Sequence, residues 1–215
     1  MLVEEIMNMS VPTLTPTHTI NDALKLLKEK RIRHIPIVNS EKEIVGVVTD
    51  RDLKEATPSS LISSQNVEIY DLPLEKIMTK NPITGHPLDF VEETASIFYD
   101  NRIGCLPIVS KGKLVGMITE SDLLYKFIEL TGVHQPGSQI EVRVPNRTGV
   151  LFEISKLFYE QKMNVLSVLV YPDKVDTNFK ILVLRVKTMN PLKLIEAIRA
   201  EGFEVLWPNH PGMTL

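Results

Sequence analysis

The ten residues IVGVVTDRDL, Ile44 to Leu53, return as LVGMITESDL, Leu114 to Leu123, with glycine, threonine, aspartate and leucine in phase. Such a repeat constrains a fold more than any local propensity, because each copy must build the same small unit. The register extends upstream. Met7 and Met78 stand 71 apart, as do Pro36 and Pro107, while Gly46/Gly116, Thr49/Thr119 and Asp52/Asp122 stand 70 apart. The one-residue difference lies in a loop, NSEKE in the first copy and SKGK in the second.

Each copy parses alike. VEEIM or LEKIM reads as a short helix leading into a Pro/Thr-rich extended stretch. An amphipathic helix follows, with Ile20, Ala23, Leu24 and Leu27 at helical spacing. Thr19 or Thr17 can cap it, and Asp22 suits the positive end of its dipole. HIPIV and EIVGVVT read as buried strands joined by a Ser/Glu/Lys turn, and DRDLKEA as a second helix. One unit of about 60 residues buries too little surface to be stable alone. Two pseudo-symmetric copies packed sheet to sheet are therefore expected, over residues 1–60 and 71–131, with a Ser-rich linker from Thr57 to Asp71.

Composition narrows the class. A hydrophobic content of 43% is enough for packed cores, and a net charge of −3 gives no global basic field for nucleic acid or an anionic membrane. The single cysteine, Cys105, forbids an intrachain disulfide and suits a reducing cytoplasm. The opening MLVEEIMNMS puts acids where a secretory signal needs bases. No apolar run approaches the ~20 residues of a membrane helix. The expectation is a soluble cytoplasmic protein with no nucleic-acid or membrane partner.

After Leu130 the pattern changes. TGVHQPGS marks a boundary. QIEVRV alternates as a strand, and Val150, Leu151, Ile154, Leu157 and Phe158 share one helical face. VLSVLVY and FKILVLRV are strand-like around PDKVDTN, PLKLIEAIRAEG reads as a helix opened by Pro and closed by Gly, and FEVLW as a last strand. The order βαββαβ over 138–209 is the split layout of ferredoxin-like folds. The whole is an α+β chain.

The repeated Gly-x-x-Thr-x-x-Asp-Leu step sits where a buried strand enters a helix. Thr49 and Thr119 stand near helix N-termini, where free N–H groups favour an anion such as phosphate. Asp52 and Asp122, three residues on, can face the same crevice and accept from ribose hydroxyls. The bland alternative is a helix cap with an acid in the first turn.

These residues resemble a pair of cystathionine-β-synthase (CBS) domains. The likeness rests on IRHIPIV with IVGVVTDRDL and IGCLPIV with LVGMITESDL, within residues 1 to 130. It implies an adenine nucleotide (AMP, ADP, ATP or a related adenosyl compound) in clefts between the units. It implies ribose on Asp52 and Asp122, and ribose or phosphate on Thr49 and Thr119. The copies differ: Arg33-His34 against Gly104-Cys105, and Arg51 against Ser121. Arginine suits bidentate phosphate contact. The expectation is at most one tight site, built on Arg33, His34 and Arg51, with Asp52 mattering more than Asp122. Solvated loop charges are the alternative for the arginines.

The C-terminal unit resembles an ACT domain, through VPNRTGVLFEIS and Asn164-Val165. Gly149 with the N–H groups of Val150 and Leu151 can receive a carboxylate. Asn146 and Thr148 stand where amino-acid binders of that family often carry Asp and Pro. The resemblance leaves effector binding and side-by-side dimerisation both open, around Asn146, Gly149, Val150, Leu151 and Asn164.

Five scattered histidines and the lack of any HExxH, G-x-S-x-G, Walker or G-x-G-x-x-G pattern leave no catalytic or metal constellation in the sequence. The expected function is a non-catalytic regulator, a nucleotide sensor acting on another protein and built as a homodimer. The order of two CBS units and one ACT unit also resembles bacterial acetoin-utilisation proteins, which implies regulation of acetoin or butanediol breakdown. A dimerisation adaptor with empty clefts and a nucleotide-using enzyme are the rival readings.

Overall fold

The computed structural model describes residues 1–57 and 67–208, so much of the expected Ser-rich linker lies outside the described residues. The chain divides into two compact units, Met1–Leu124 and Tyr125–Leu215. Among the described residues no helix is long and apolar enough to cross a membrane.

The first unit carries the repeat. Helix α1 (Ile20–Lys30), strands β1 (His34–Val38) and β2 (Ile44–Thr49) and helix α2 (Asp50–Ala56) make the first copy. A short helix α3 (Val67–Tyr70) and a two-residue strand β3 (Thr79–Lys80) lead to α4 (Val91–Asn101), β4 (Cys105–Ser110), β5 (Lys113–Thr119) and α5 (Glu120–Thr131). Thr19, not Thr17, caps α1, and Ile20, Ala23 and Leu27 are the residues it buries. Pro36 and Pro107 lie in antiparallel pairs, opposite Val47 and Met117.

The expected lead helices are three-residue 3-10 turns, Val3–Glu5 and Leu74–Lys76. Their placement is crossed. Val3 packs in the core of the second copy, with Phe98, Leu106, Ile108 and Ile118. Leu74 packs in the core of the first, with Ile20, Ile35, Ile37, Val48 and Leu53. The backbone follows: Val3 N–H donates to Asp89 and Leu74 N–H to His18. The next segments cross too. Thr79 pairs with Val47, and Asn8 bridges Met117. A small core of Val47, Cys105 and Met117, with Val11 against it, joins the two copies. Each copy thus completes the other, which answers the shortage of buried surface in one.

The second unit runs β6 (Ser138–Pro145), α6 (Val150–Glu160), β7 (Val165–Pro172), β8 (Phe179–Val186), α7 (Leu192–Ala200) and β9 (Glu204–Trp207). Its four-stranded sheet has the order β7-β8-β6-β9. Strand period two brings Ile140, Val142 and Val144 of β6 and Leu182, Leu184 and Val186 of β8 to one face. There they meet Ile154, Leu157 and Phe158 of α6 and Leu194, Ile195 and Ile198 of α7. Gly202, φ 84°, ends α7 as the sequence suggests.

Candidate functional site

The repeated threonine and aspartate form two matching capping boxes. Thr49 N–H and its hydroxyl both donate to Asp52 Oδ2 at 2.8 Å, and Asp52 N–H donates back to the hydroxyl at 3.2 Å. Around Thr119 and Asp122 the same three bonds measure 2.8, 2.7 and 3.4 Å. Each closes the first turn of a helix that starts one residue after the threonine. A third box, Thr19 with Asp22, has the same form at 2.9, 2.9 and 3.2 Å. The box alone therefore marks a helix start and no more. In Asp52 and Asp122, Oδ1 makes no protein hydrogen bond among the described residues, so each half-buried carboxylate keeps one acceptor.

What distinguishes the two strand-to-helix boxes is their company. Register sets His34 opposite Thr49 and Cys105 opposite Thr119. Backbone bonds tie Asp50 N–H to the Arg33 carbonyl at 2.9 Å and Glu120 N–H to the Gly104 carbonyl at 3.3 Å. A Cβ on Gly104 would stand 2.8 Å from His34 Nε2, so this glycine makes room for the imidazole of the other copy. The two boxes and the two strand starts thus share one junction between the copies.

The sequence pattern groups Arg33 with Asp52. The guanidinium instead reaches over the junction, with Nη2 3.5 Å from Ser121 Oγ, one residue before Asp122. In the sequence Ser121 only replaces an arginine of the first copy; its contact across the repeat has no local sequence signal. Arg51 is exposed, and no ion pair or hydrogen bond holds its side chain among the described residues.

Electrostatics at the junction follow burial. Half-buried His34 has its pKa lowered, first by desolvation and then by the Arg33 charge, with Asp50, Glu120 and Asp52 opposing. Burial pushes the Cys105 thiol up to about 12, with a smaller push from Asp52. Cys105, buried in β4, is a packing residue in its neutral form.

In the second unit Asn146, Gly149, Val150 and Leu151 gather around the start of α6, and Asn164 does not. Gly149 takes φ 87° before the helix, and no atom lies within 4 Å of where its Cβ would stand. Val150 is buried and Leu151 is exposed. Asn146 N–H donates to the Asn178 carbonyl at 2.7 Å, which fastens this loop to the β7–β8 turn. The Asn164 carbonyl accepts from Lys187 N–H at 2.9 Å, a strand-edge contact away from that loop. Arg147, unremarked in the sequence, clamps Glu153 through two bonds of 2.6 and 2.7 Å. Arg143 gathers Asp173 at 2.6 Å and Glu204 at 3.4 Å beneath the ring of Phe179.

Known proteins share both units. The CBS domain model matches residues 3–59 and 74–129, and the ACT domain model matches 138–203. A CBS domain-containing protein of Dictyostelium discoideum is 36% identical over 134 residues, covering 60% of this chain and 92% of that protein. A homoserine O-acetyltransferase of Methanohalobium evestigatum is 33% identical over 56% of this chain, which spans only 23% of that enzyme. Among solved structures, one described as an acetoin utilization protein (AcuB) from Vibrio cholerae is 36% identical with TM-score 0.55, covering 62% of this chain and 95% of that one. The CBS domain pair of MJ0100, in complex with 5′-methylthioadenosine and S-adenosyl-L-methionine, is 28% identical with TM-score 0.51, covering 59% and 95%. Two matched repeats over more than half the residues, and a relative spanned almost whole, exceed any chance likeness: the chain belongs to the CBS-domain family, with an ACT domain behind its CBS pair.

Proposed function

We propose that the CBS pair is a non-catalytic sensor of an adenine nucleotide, AMP, ADP or ATP. The observation that carries this reading is the meeting of Arg33 with Ser121, the residue before Asp122 in the chain. A cation and a hydroxyl suit phosphate, and the carboxylate one residue on suits ribose. The threonine hydroxyls are committed to their capping boxes, so Asp122 Oδ1 is the ribose acceptor and Arg33 the phosphate cation. The adenosyl ligands of the MJ0100 pair support the ligand class. Asp52, with Thr49, His34 and Arg51, lines the second and weaker cleft.

Nucleotide binding biases the pair between conformers that differ in affinity for a protein partner, an effect of about 1–3 kcal/mol in typical allosteric coupling. The likeness to the Vibrio cholerae structure supports a partner in acetoin breakdown. The ACT unit forms a two-fold dimer through β7, an edge strand whose Val168, Leu169, Val170 and Tyr171 are all exposed. Consecutive strand residues point to opposite faces, so this strand is bare on both. An effector at Gly149, Val150 and Leu151 is the second role open to this unit.

Native mass spectrometry of the full chain, with AMP, ADP, ATP and S-adenosylmethionine added in turn, tests the reading. A dimer retaining adenine nucleotide, with a matching rise in melting temperature, is expected. No mass shift and no thermal shift with any of the four would reject the sensor and favour the adaptor.

A further inference from the structure

A chamber of about 200 Å³ lies between the copies at the ends of the strands remote from the capping boxes. Three pieces of backbone frame it. The extended segment from Asn8 to Leu14 crosses from β5 to β1, bonded to Met117 at one end and to Pro36 and Val38 at the other. The turn after β1 closes the far side, where the Lys42 carbonyl accepts from Leu114 N–H at 2.9 Å. Lys42 itself takes φ 65°, so the turn is fixed in an uncommon conformation.

Val11, Val38, Leu114 and Val115 line the chamber with aliphatic residues, and the exposed Thr13 and Lys42 also line it. None of the ion pairs among the described residues uses Lys42. The neighbouring Glu43 carboxylate is held instead by Asn39 Nδ2 at 2.8 Å. No carboxylate lines the space. At about 30 Å³ per water, the volume suits roughly seven non-hydrogen atoms, far below a nucleotide.

The repeat supplies an internal comparison. At its offsets Val38, Leu114 and Val115 recur as Val109, Ile44 and Val45, and Thr13 as Thr84, while Met9 and Val11 become Lys80 and Pro82, so Val11 is the one aliphatic residue of the wall that the repeat does not carry. The chamber is also separate from the nucleotide cleft. His34 and Val38 end β1 on opposite sides, about 13 Å apart at strand rise.

We propose that this chamber binds a small aliphatic monocarboxylate, its carboxylate on Lys42 and Thr13 and its branched tail among the four aliphatic side chains. This binding stands independently of the nucleotide reading.

Isovalerate and its neutral counterpart isovaleramide are the probes, titrated into full-length protein carrying 13C-methyl valine and leucine. Isovalerate should saturate at about 10 mM or below, shifting the methyl signals of Val11, Val38, Leu114 and Val115. Isovaleramide should bind at least about fivefold more weakly. Lys42→Gln should cost isovalerate a similar factor and erase its advantage over the amide, with an unchanged melting temperature. Saturating AMP should leave the titration as it was. Equal binding of acid and amide in the wild type overturns the proposal without any variant. So do indifference to Lys42→Gln, shifts confined to other methyls, and silence at all concentrations.

Discussion

The guanidinium of Arg33 stands 3.5 Å from the hydroxyl of Ser121, 88 positions later in the chain and in the opposite repeat. On the proposed reading, that contact puts the tighter cleft at Asp122, where the sequence pattern alone favours Asp52. Arg33→Ala should weaken AMP binding by about 10- to 100-fold, the loss of a charge-assisted bond of about 1.5–3 kcal/mol. Removing one group of a shared site makes the other redundant. In an Asp122→Ala background Arg33→Ala should cost little more, whereas in Asp52→Ala the loss should persist. Calorimetric titrations of the four variants give the answer; the opposite pattern of coupling would restore the Asp52 assignment.

Leu74 belongs to the second repeat by sequence and to the first by packing, fully buried with Ile35 and Ile37. Leu74→Ala should cost about 2–5 kcal/mol in urea unfolding, the usual range for a buried leucine. Native-state hydrogen exchange should show the amides of β1 and β2 losing protection. Loss confined to β4 and β5 would contradict the crossed packing.

Gly46 is where the crossed segment presses closest. An added Cβ would meet Met78 Sδ at 2.6 Å and the Thr79 carbonyl at 3.1 Å. The thioether can swing aside, but the carbonyl belongs to β3, paired with β2. Gly46→Ala should therefore destabilise by about 1–3 kcal/mol. Pairing it with Met78→Ala should recover only part in thermal melts; full recovery would mean that the sulfur alone set the limit.

Much of this was legible in the residues. Ile20, Ala23 and Leu27 announced the buried stripe of α1, and the alternation in QIEVRV announced the core face of β6, because period and burial are local properties. The strand-to-helix threonines and aspartates were legible as positions, though their reciprocal hydrogen bonds were not. Neighbours across the pseudo-two-fold were invisible. Nothing in LEKIM says whose core receives Leu74, and nothing near Arg33 points to Ser121. The Arg147–Glu153 clamp escaped for a similar reason, since a spacing of six bridges a loop and a helix start and matches no helical pair.

His34 gives the junction a pH signature. Its pKa is lowered from 6.5, chiefly by burial, so below 6.5 the unfolded chain takes up a proton before the folded one does. The stability this neutral imidazole contributes is complete above that value and is lost as pH falls through the interval down to the native pKa. His34→Gln removes the titration. The melting-temperature gap between wild type and variant should narrow on going from about pH 7.5 to about pH 5.5. A gap that widens with acid would mean that Asp50, Glu120 and Asp52 outweigh burial and Arg33.

Val170 tests the edge of the ACT sheet. It is 52% exposed in the middle of β7, so replacing it changes little inside the fold. In a two-fold strand pair, however, the same position recurs close to the axis on both copies. Val170→Lys would set two ammonium groups near each other on an otherwise apolar seam, which like-charged strand pairs do not tolerate. The variant should run as a monomer in native mass spectrometry with its far-ultraviolet dichroism intact. AMP affinity should remain, because the proposed nucleotide site uses residues of the first unit alone. A variant that stays dimeric would show that the copies meet elsewhere. One that loses AMP together with the dimer would show that the ACT contact helps to shape the cleft.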